Sequence, residues 1–294
     1  MGKINVLFIV NKSKDLDYCK STEVINYLHQ NNCNVFITDK GLLRLQNVKE
    51  FNKDTNIDFS LILGGDGTIL HAVHEFSEFD FPFYGINLGR VGCLTEATME
   101  DYKIKLSSIL ENNYYIENRN TLRCKIIKNN KIIFEDIAVN EVSIQRGSLV
   151  RMILINMLVN EKNKTSFYAD GVIVATSTGS SAFSLSSGGP LLLPDASNFV
   201  ITPICPQLRT ITSLVINDSD VITIDLTDNF DKLDNNHKPL AVIDGMETIE
   251  IDEKCSIIIS RNNKIFKTIR VDSNISLFEP TYKVALSNKD LFEK

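Results

Sequence analysis

The sequence predicts an α/β domain with a parallel sheet followed by a β-rich, sandwich-like domain. Three observations predict it. Strand-like apolar runs alternate with helix-like segments up to about residue 118. The rhythm then changes to short strands separated by turn signals. And 294 residues is long for a single core.

Each element has its reason. Ile4 to Val10 is apolar except for Asn5, the pattern of a strand covered on both faces. Asp17 to Asn31 has helical spacing, with Leu16, Val24 and Leu28 on one side. Asn34 to Thr38 reads as a second strand, and Phe59 to Leu63 as a third that ends on glycines. A helix over Ile69 to Phe76, a strand over Phe83 to Asn87 and a helix over Met99 to Leu110 follow. Strands separated by helices imply parallel pairing with crossovers. Beyond Asn118 the predicted strands are 123–127, 132–138, 142–145, 152–159, 171–175, 221–226, 240–243, 256–260 and 265–271. Runs such as Lys128-Asn129-Asn130-Lys131 separate them. Thr178 to Gly189 is too small and serine-rich for a strand, and the polar run 228–238 reads as an exposed loop. The domains drawn are 1–118 and 119–274.

Composition narrows the function classes. The chain is 43% hydrophobic and 23% charged with a net charge of −6. It has no basic block, so nucleic acid and anionic membrane are poor partners. No apolar run reaches the length of a membrane span, and the start Met1-Gly2-Lys3-Ile4 has no signal-peptide layout. Six cysteines lack CxxC spacing, so free thiols in a reducing compartment are expected. The expected location is the cytoplasm.

The chemistry centres on Gly64-Gly65-Asp66-Gly67-Thr68, which follows an apolar strand and opens a helix. Glycines let backbone N–H groups approach a phosphate, and a helix start points its positive end at the anion. Thr68 can add a hydroxyl. A carboxylate repels phosphate, so Asp66 makes sense as a base for an attacking hydroxyl or as a holder of a cation. A strand-to-helix turn with a capping aspartate is the plainer alternative. The spacing is neither a Walker loop nor GxGxxG. Asn87-Leu88-Gly89-Arg90-Val91-Gly92 follows the next strand, where a simple glycine-rich turn explains it as well. Asn140-Glu141 suits ribose hydroxyls or a base, or only a turn. Asp170 to Pro190 leads a strand into hydroxyls, small residues and one aromatic, Phe183, on which a base can stack. Asp244-Gly245 is a hairpin dipeptide. His71 and His74 read as packing or surface residues.

Together these segments, with Thr202-Pro203-Ile204-Cys205-Pro206, resemble the NAD kinase family over roughly residues 4 to 275, in the family's order. The first motif alone is shared with diacylglycerol-type lipid kinases and phosphofructokinases. The 170–190 and 202–206 segments are the specific ones. The resemblance implies a two-domain NAD kinase fold, with the tail 275–294 returning to the first domain. It implies transfer of a phosphoryl group from ATP, or polyphosphate, to the 2′-hydroxyl of the adenosine ribose of NAD, with Mg²⁺ or another divalent cation on the donor. Asp66 would be the general base, Gly67 would approach the substrate diphosphate, and Gly64, Gly65, Thr68, Asn87, Gly89 and Arg90 would be further substrate- or cofactor-binding residues. Asn140 would hold the dinucleotide and Glu141 its ribose hydroxyls. Thr178, Ser181, Ala182, Phe183 and Ser186 would line the substrate cleft, with Asp170 at the adenine end and Asp244 in a binding role. A homotetramer or homodimer with shared sites is implied.

Departures are visible. Phe183 stands for the family's usual Tyr, Ser181 for Thr, Cys93 for a frequent Phe, Ser177 for Pro and Gln207 for His. They bear on substrate affinity and on NAD against NADH preference. Two rivals differ in class. A diacylglycerol-type lipid kinase needs a membrane-binding surface, and no amphipathic basic helix is seen. A non-catalytic NAD- or nucleotide-binding module gains little from Asp66.

Overall fold

The computed structural model describes residues 3–89, 92–148, 151–227 and 238–271. Arg90, the tail 275–294 and nearly all of the polar run 228–238 lie outside the described residues. The chain divides into two units. One runs to Asn118 and resumes at Lys267; the other spans Arg119–Phe266.

The first unit alternates as its sequence demands. It contains β1 (Ile4–Val10), α1 (Cys19–Gln30), β2 (Cys33–Ile37), β3 (Val48–Glu50), β4 (Phe59–Gly64), α2 (Asp66–Glu75), β5 (Phe83–Asn87), β6 (Ala97–Thr98), α3 (Tyr102–Leu110) and β7 (Tyr115–Arg119). The sheet runs β3-β2-β1-β4-β5, then the strand Phe266–Arg270, then β7, with β6 on β5. Strands β1 to β5 pair in parallel. The chain winds outward from β1 to β3 and then crosses back to β4 on the other side of β1. That reversal makes the carboxyl ends of β1 and β4 a topological switch point, where open α/β sheets bind ligands.

The core explains why these segments fold this way. Phe59–Gly64 is buried at every residue, as a central strand covered on both faces should be. Helix α1 buries Ser21, Val24, Ile25 and Leu28. Its entry is fixed by Asp15, whose carboxylate accepts the N–H groups of Lys20 and Ser21 and the Ser21 hydroxyl. Leu16, expected on the apolar side of this helix, is instead 77% exposed, because the helix starts only at Cys19. Helix α2 begins at Asp66, three residues earlier than its apolar run suggests, so the carboxylate sits in the first turn.

The second unit is a two-sheet β structure. Its strands are β8 (Leu122–Lys128), β9 (Lys131–Ala138), β10 (Glu141–Gln145), β11 (Ile153–Val159), β12 (Asn163–Ala169), β13 (Gly171–Ala175), β14 (Asn198–Ile204), β15 (Leu214–Asn217), β16 (Ile222–Leu226), β17 (Leu240–Ile243), β18 (Glu247–Glu250) and β19 (Cys255–Arg261), with the short helix α4 (Phe183–Ser186) after β13. One sheet is ordered β15-β14-β13-β10-β17-β18 and the other β12-β11-β16-β19-β8-β9. Their inner faces share one core. It includes Leu122, Ile126, Ile155 and Ile257 from one sheet and Val142, Val174, Ile201 and Ile243 from the other.

The strand Phe266–Arg270, read from sequence as part of the β-rich domain, pairs with β5 in the parallel sheet, Thr268 opposite Phe83. Its apolar run has no feature that names its sheet. Among the described residues no helix is long and apolar enough to cross a membrane.

Candidate active site

Three neighbouring strand ends build the candidate site of the first unit. Val10 pairs with Leu63, and Gly64 with Asn87. The residues that follow each strand therefore emerge side by side. After β1 comes Asn11-Lys12-Ser13-Lys14, a single 3₁₀ turn capped by Asn11, whose Oδ1 accepts the Ser13 N–H. After β4 comes Gly65-Asp66-Gly67-Thr68. A cavity of about 560 Å³ opens there, lined by Val10, Asn11, Lys12, Ser13, Lys14, Gly65, Asp66, Gly67, Thr68 and His71.

Within this turn the residues divide their tasks. A Cβ on Gly64 would strike Thr68. Thr68 Oγ1 accepts the Gly65 N–H at 3.3 Å and the Asn11 amide at 3.1 Å, so it ties β1's loop to β4's. Gly67 is different. It is exposed and a Cβ there would meet nothing within 4 Å, so the protein's own packing does not demand glycine. The missing side chain leaves the backbone open to a ligand. The Lys14 ammonium lies 3.2 Å from where a Cβ would stand on Gly65 and 3.1 Å from that of Gly89. It thus reaches both glycine turns. Asn87 is buried, and its Oδ1 accepts the Gly89 N–H at 2.8 Å.

Asp66 is half-buried and fully engaged. Its Oδ2 accepts the Cys93 N–H at 2.7 Å, and its Oδ1 accepts those of Leu94 at 3.1 Å and Thr95 at 3.3 Å. A Cβ on Gly92 would collide with this carboxylate. The glycine after the second motif is therefore there to let Asp66 in.

A second group of candidate residues lies within the β unit. The turn Val139-Asn140-Glu141 is held by Asp244, whose carboxylate accepts all three N–H groups at 2.7, 2.8 and 3.0 Å. Asp244 and Gly245 both have positive φ, as a primed hairpin turn requires. Asp244, expected in a binding role, is buried and shapes the Val139–Glu141 turn. Glu141 is 8% exposed, and its Oε2 has no hydrogen-bond partner. Burial, with the Asp244 carboxylate beside it, pushes the Glu141 carboxyl up to about 8, against the pull of the Phe183 backbone N–H.

The hydroxyl-rich segment spends most of its hydroxyls on itself. Thr176 bonds the Val139 carbonyl, Ser177 that of Pro194, Ser180 that of Ser177 and Ser181 that of Thr178. Ser184 bonds Thr202 at 2.8 Å, and a Cβ on Gly189 would strike both. A Cβ on Gly179 would strike the Asn140 backbone, so the segment is wedged against the turn. Thr178 is buried and accepts from Arg119 at 3.1 Å. Most of the hydroxyls expected to line the substrate cleft therefore bond within the chain, and the segment keeps an open rim. There Phe183 is 37% exposed, Ser186 is exposed and Ala182 half-buried. Asp170 stands apart, at the far end of β13, roughly 20 Å of strand away, and its carboxylate pairs with Arg146 at 2.9 Å.

Sequence reasoning missed Asn11, Lys12 and Lys14, and set His71 aside. The signal was present: Asn-Lys-Ser-Lys stands after β1 just as the glycine run stands after β4.

A lysine-lined cavity over a carboxylate, at the switch point of a parallel sheet, is built for moving phosphate. The fold and this turn define a kinase. Residues 6–114 match the ATP-NAD kinase N-terminal domain and residues 139–271 the ATP-NAD kinase C-terminal domain. The chain belongs to the NAD kinase family, phosphotransferases that act on a hydroxyl group of NAD. It is 34% identical over 283 residues to an NAD kinase from Thermoanaerobacter, covering 95% of this chain and 97% of that one. It is 32% identical over 280 residues to an NAD kinase from Clostridium botulinum, covering 90% and 95%. Among solved structures, yeast NADH kinase complexed with NADH aligns with a TM-score of 0.82 at 20% identity, covering 100% of this chain and 89% of that one. An Archaeoglobus fulgidus NAD kinase in complex with ATP aligns at 0.74 and 23% identity, covering 96% and 99%.

Proposed function

We propose that this chain transfers the terminal phosphoryl group of ATP to the 2′-hydroxyl of the adenosine ribose of NAD, with Asp66 as general base. The observation that carries the reading is the cavity where Lys12, Lys14 and the Gly65–Thr68 turn meet. Backbone N–H groups, a helix start and two ammonium groups suit a polyphosphate tail. Transfer of a phosphoryl group is mostly a matter of holding partners in line and spreading charge. Lys14 and the glycine turns hold the donor. Gly67 offers bare backbone to the phosphates. Asp66 is fixed by three N–H bonds, two on Oδ1 and one on Oδ2, so Oδ2 keeps acceptor capacity for the proton of an attacking hydroxyl.

Among the described residues no cluster of three or more His, Cys, Asp or Glu could cage a metal. One carboxylate beside a phosphate cavity instead fits a Mg²⁺ that arrives on the donor, because Mg²⁺ is commonly held by substrate phosphates and one or two carboxylates. When bound, the cation neutralises phosphate charge. On the acceptor side, Asn140 and the unpartnered Glu141 Oε2 are the groups offered to ribose hydroxyls, with Phe183 as a stacking face. A homodimer or homotetramer in the cytoplasm completes the proposal, and the remote position of Asp170 accords with a contact made to another subunit's substrate.

The test is a coupled assay with NAD, ATP and Mg²⁺, following NADP with a NADP-specific dehydrogenase. NADP formation that needs both substrates is expected. Asp66→Asn should lower turnover about 10²–10⁴-fold. Turnover with polyphosphate but not ATP would reassign the donor. An Asp66→Asn variant as fast as the wild type would remove the base.

A further inference from the structure

Asp66 is held by a loop, and the loop is held by something else. Cys93 donates its N–H to Asp66 Oδ2, and its carbonyl accepts from Arg270 Nη2 at 3.3 Å. Arg270 lies near the end of the strand that returns from the second unit. It is 9% exposed and faces two carboxylates. Its Nη1 meets Glu96 Oε2 at 2.9 Å and its Nε meets Glu117 Oε2 at 3.0 Å.

Glu96 closes the circuit. Its other oxygen accepts the Val271 N–H at 2.7 Å, its own N–H bonds the Gly85 carbonyl at 3.0 Å, and its carbonyl takes the Lys105 ammonium at 2.7 Å. Residues 93 to 96 are therefore fixed at both ends, by Asp66 on one side and by Arg270 with Glu96 on the other. A buried ion pair is weak support for stability, since desolvation offsets attraction; fixing one conformation is its better-attested use. The planar guanidinium suits this task, because it aims three donors at three separate acceptors. A lysine cannot copy that fork.

We propose that Arg270, with Glu96, is a positioning residue for phosphoryl transfer: it sets the Cys93–Thr95 backbone that presents Asp66 to the attacking hydroxyl. The proposal rests on the reading of Asp66 as base. It adds a requirement that the last described strand imposes on the reaction.

The experiment pairs Arg270→Lys and Glu96→Gln with Asp66→Asn, singly and combined. Turnover, KM for NAD, KM for ATP and thermal melting are measured, with enough enzyme to follow the residual rate. Arg270→Lys keeps the charge, and Glu96→Gln keeps the volume, so one serves if the other fails to fold. Each should lower kcat by about 10- to 100-fold, as loss of near-attack geometry does. Each KM should stay within about threefold, since substrate binding does not use these groups. In the Asp66→Asn background the further loss should vanish, because residues that act through one group are not additive. Unchanged kcat in both folded variants overturns the proposal. Equal losses in both backgrounds overturn it too, showing a general structural role while Asp66 remains the base. Wild-type turnover in Asp66→Asn alone overturns the base assignment, and the proposal with it.

Discussion

Glu141 shows what a single buried carboxyl can do to a protein's pH response. Its carboxyl stands at about 8 against an ordinary 4.5, because burial and Asp244 disfavour the charged form. Between those values the unfolded chain has lost its proton and the folded chain keeps it. Stability therefore falls as pH rises through that window, and below it nothing is lost. Glu141→Gln removes the titration but keeps a hydrogen-bonding side chain. Melts from pH 5 to pH 8 should show the variant gaining on the wild type, by at most about 4 kcal/mol. A constant difference across that range would show that Glu141 does not hold its proton. The sequence marked Asn140-Glu141 as a pair of interest, but not this state. Proton affinity depends on Asp244, 103 residues away in the chain, and no local pattern carries it.

At the scale of elements, the β1 and β4 ends line one cavity with different residues. The β4 turn could be read from the sequence because glycines around one aspartate are uncommon after an apolar strand. The β1 turn could not, because Asn-Lys-Ser-Lys looks like any polar loop until β1 and β4 are known to be neighbours. Lys14→Met should leave the fold intact and raise the KM for ATP roughly tenfold or more, the worth of a charged hydrogen bond. The KM for NAD should hardly change. If the two rise together, Lys14 is not a donor contact. Some strands in the sheet interiors were legible for a related reason. Gly171–Ala175 is apolar throughout and buried throughout. Some of the strands that escaped are polar or interrupted. Glu247–Glu250 is an exposed edge, and Asn198–Ile204 contains Pro203. That proline lies past the stretch of β14 that pairs with β15, where a missing N–H costs no ladder bond.

The whole molecule is one continuous unit inserted in a discontinuous one. The β unit spans Arg119–Phe266 and has a complete core of its own. A fragment of residues 119–266 should melt cooperatively with β-type circular dichroism. A fragment of residues 1–118 should not, because the strand Phe266–Arg270 stands between β5 and β7 in its sheet. Two cooperative fragments would show that the returning strand is dispensable. The two-domain layout was legible because the hydrophobic rhythm changes near Asn118. The sheet to which residues 266–270 belong was not, because an apolar strand carries no address for its partner.

The seam between Glu117 and Arg270 spans 153 residues. During synthesis the first unit leaves the ribosome early but lacks the strand that separates β5 from β7. The inserted unit emerges whole and is free to fold as it appears. Only when the final stretch is released can the parallel sheet close and the ion pair behind Asp66 form. The parallel sheet and the bond that ties Cys93 to Arg270 thus wait for nearly the whole chain, and translation stopped short of Arg270 leaves a β unit with its core complete and an Asp66 loop without its anchor.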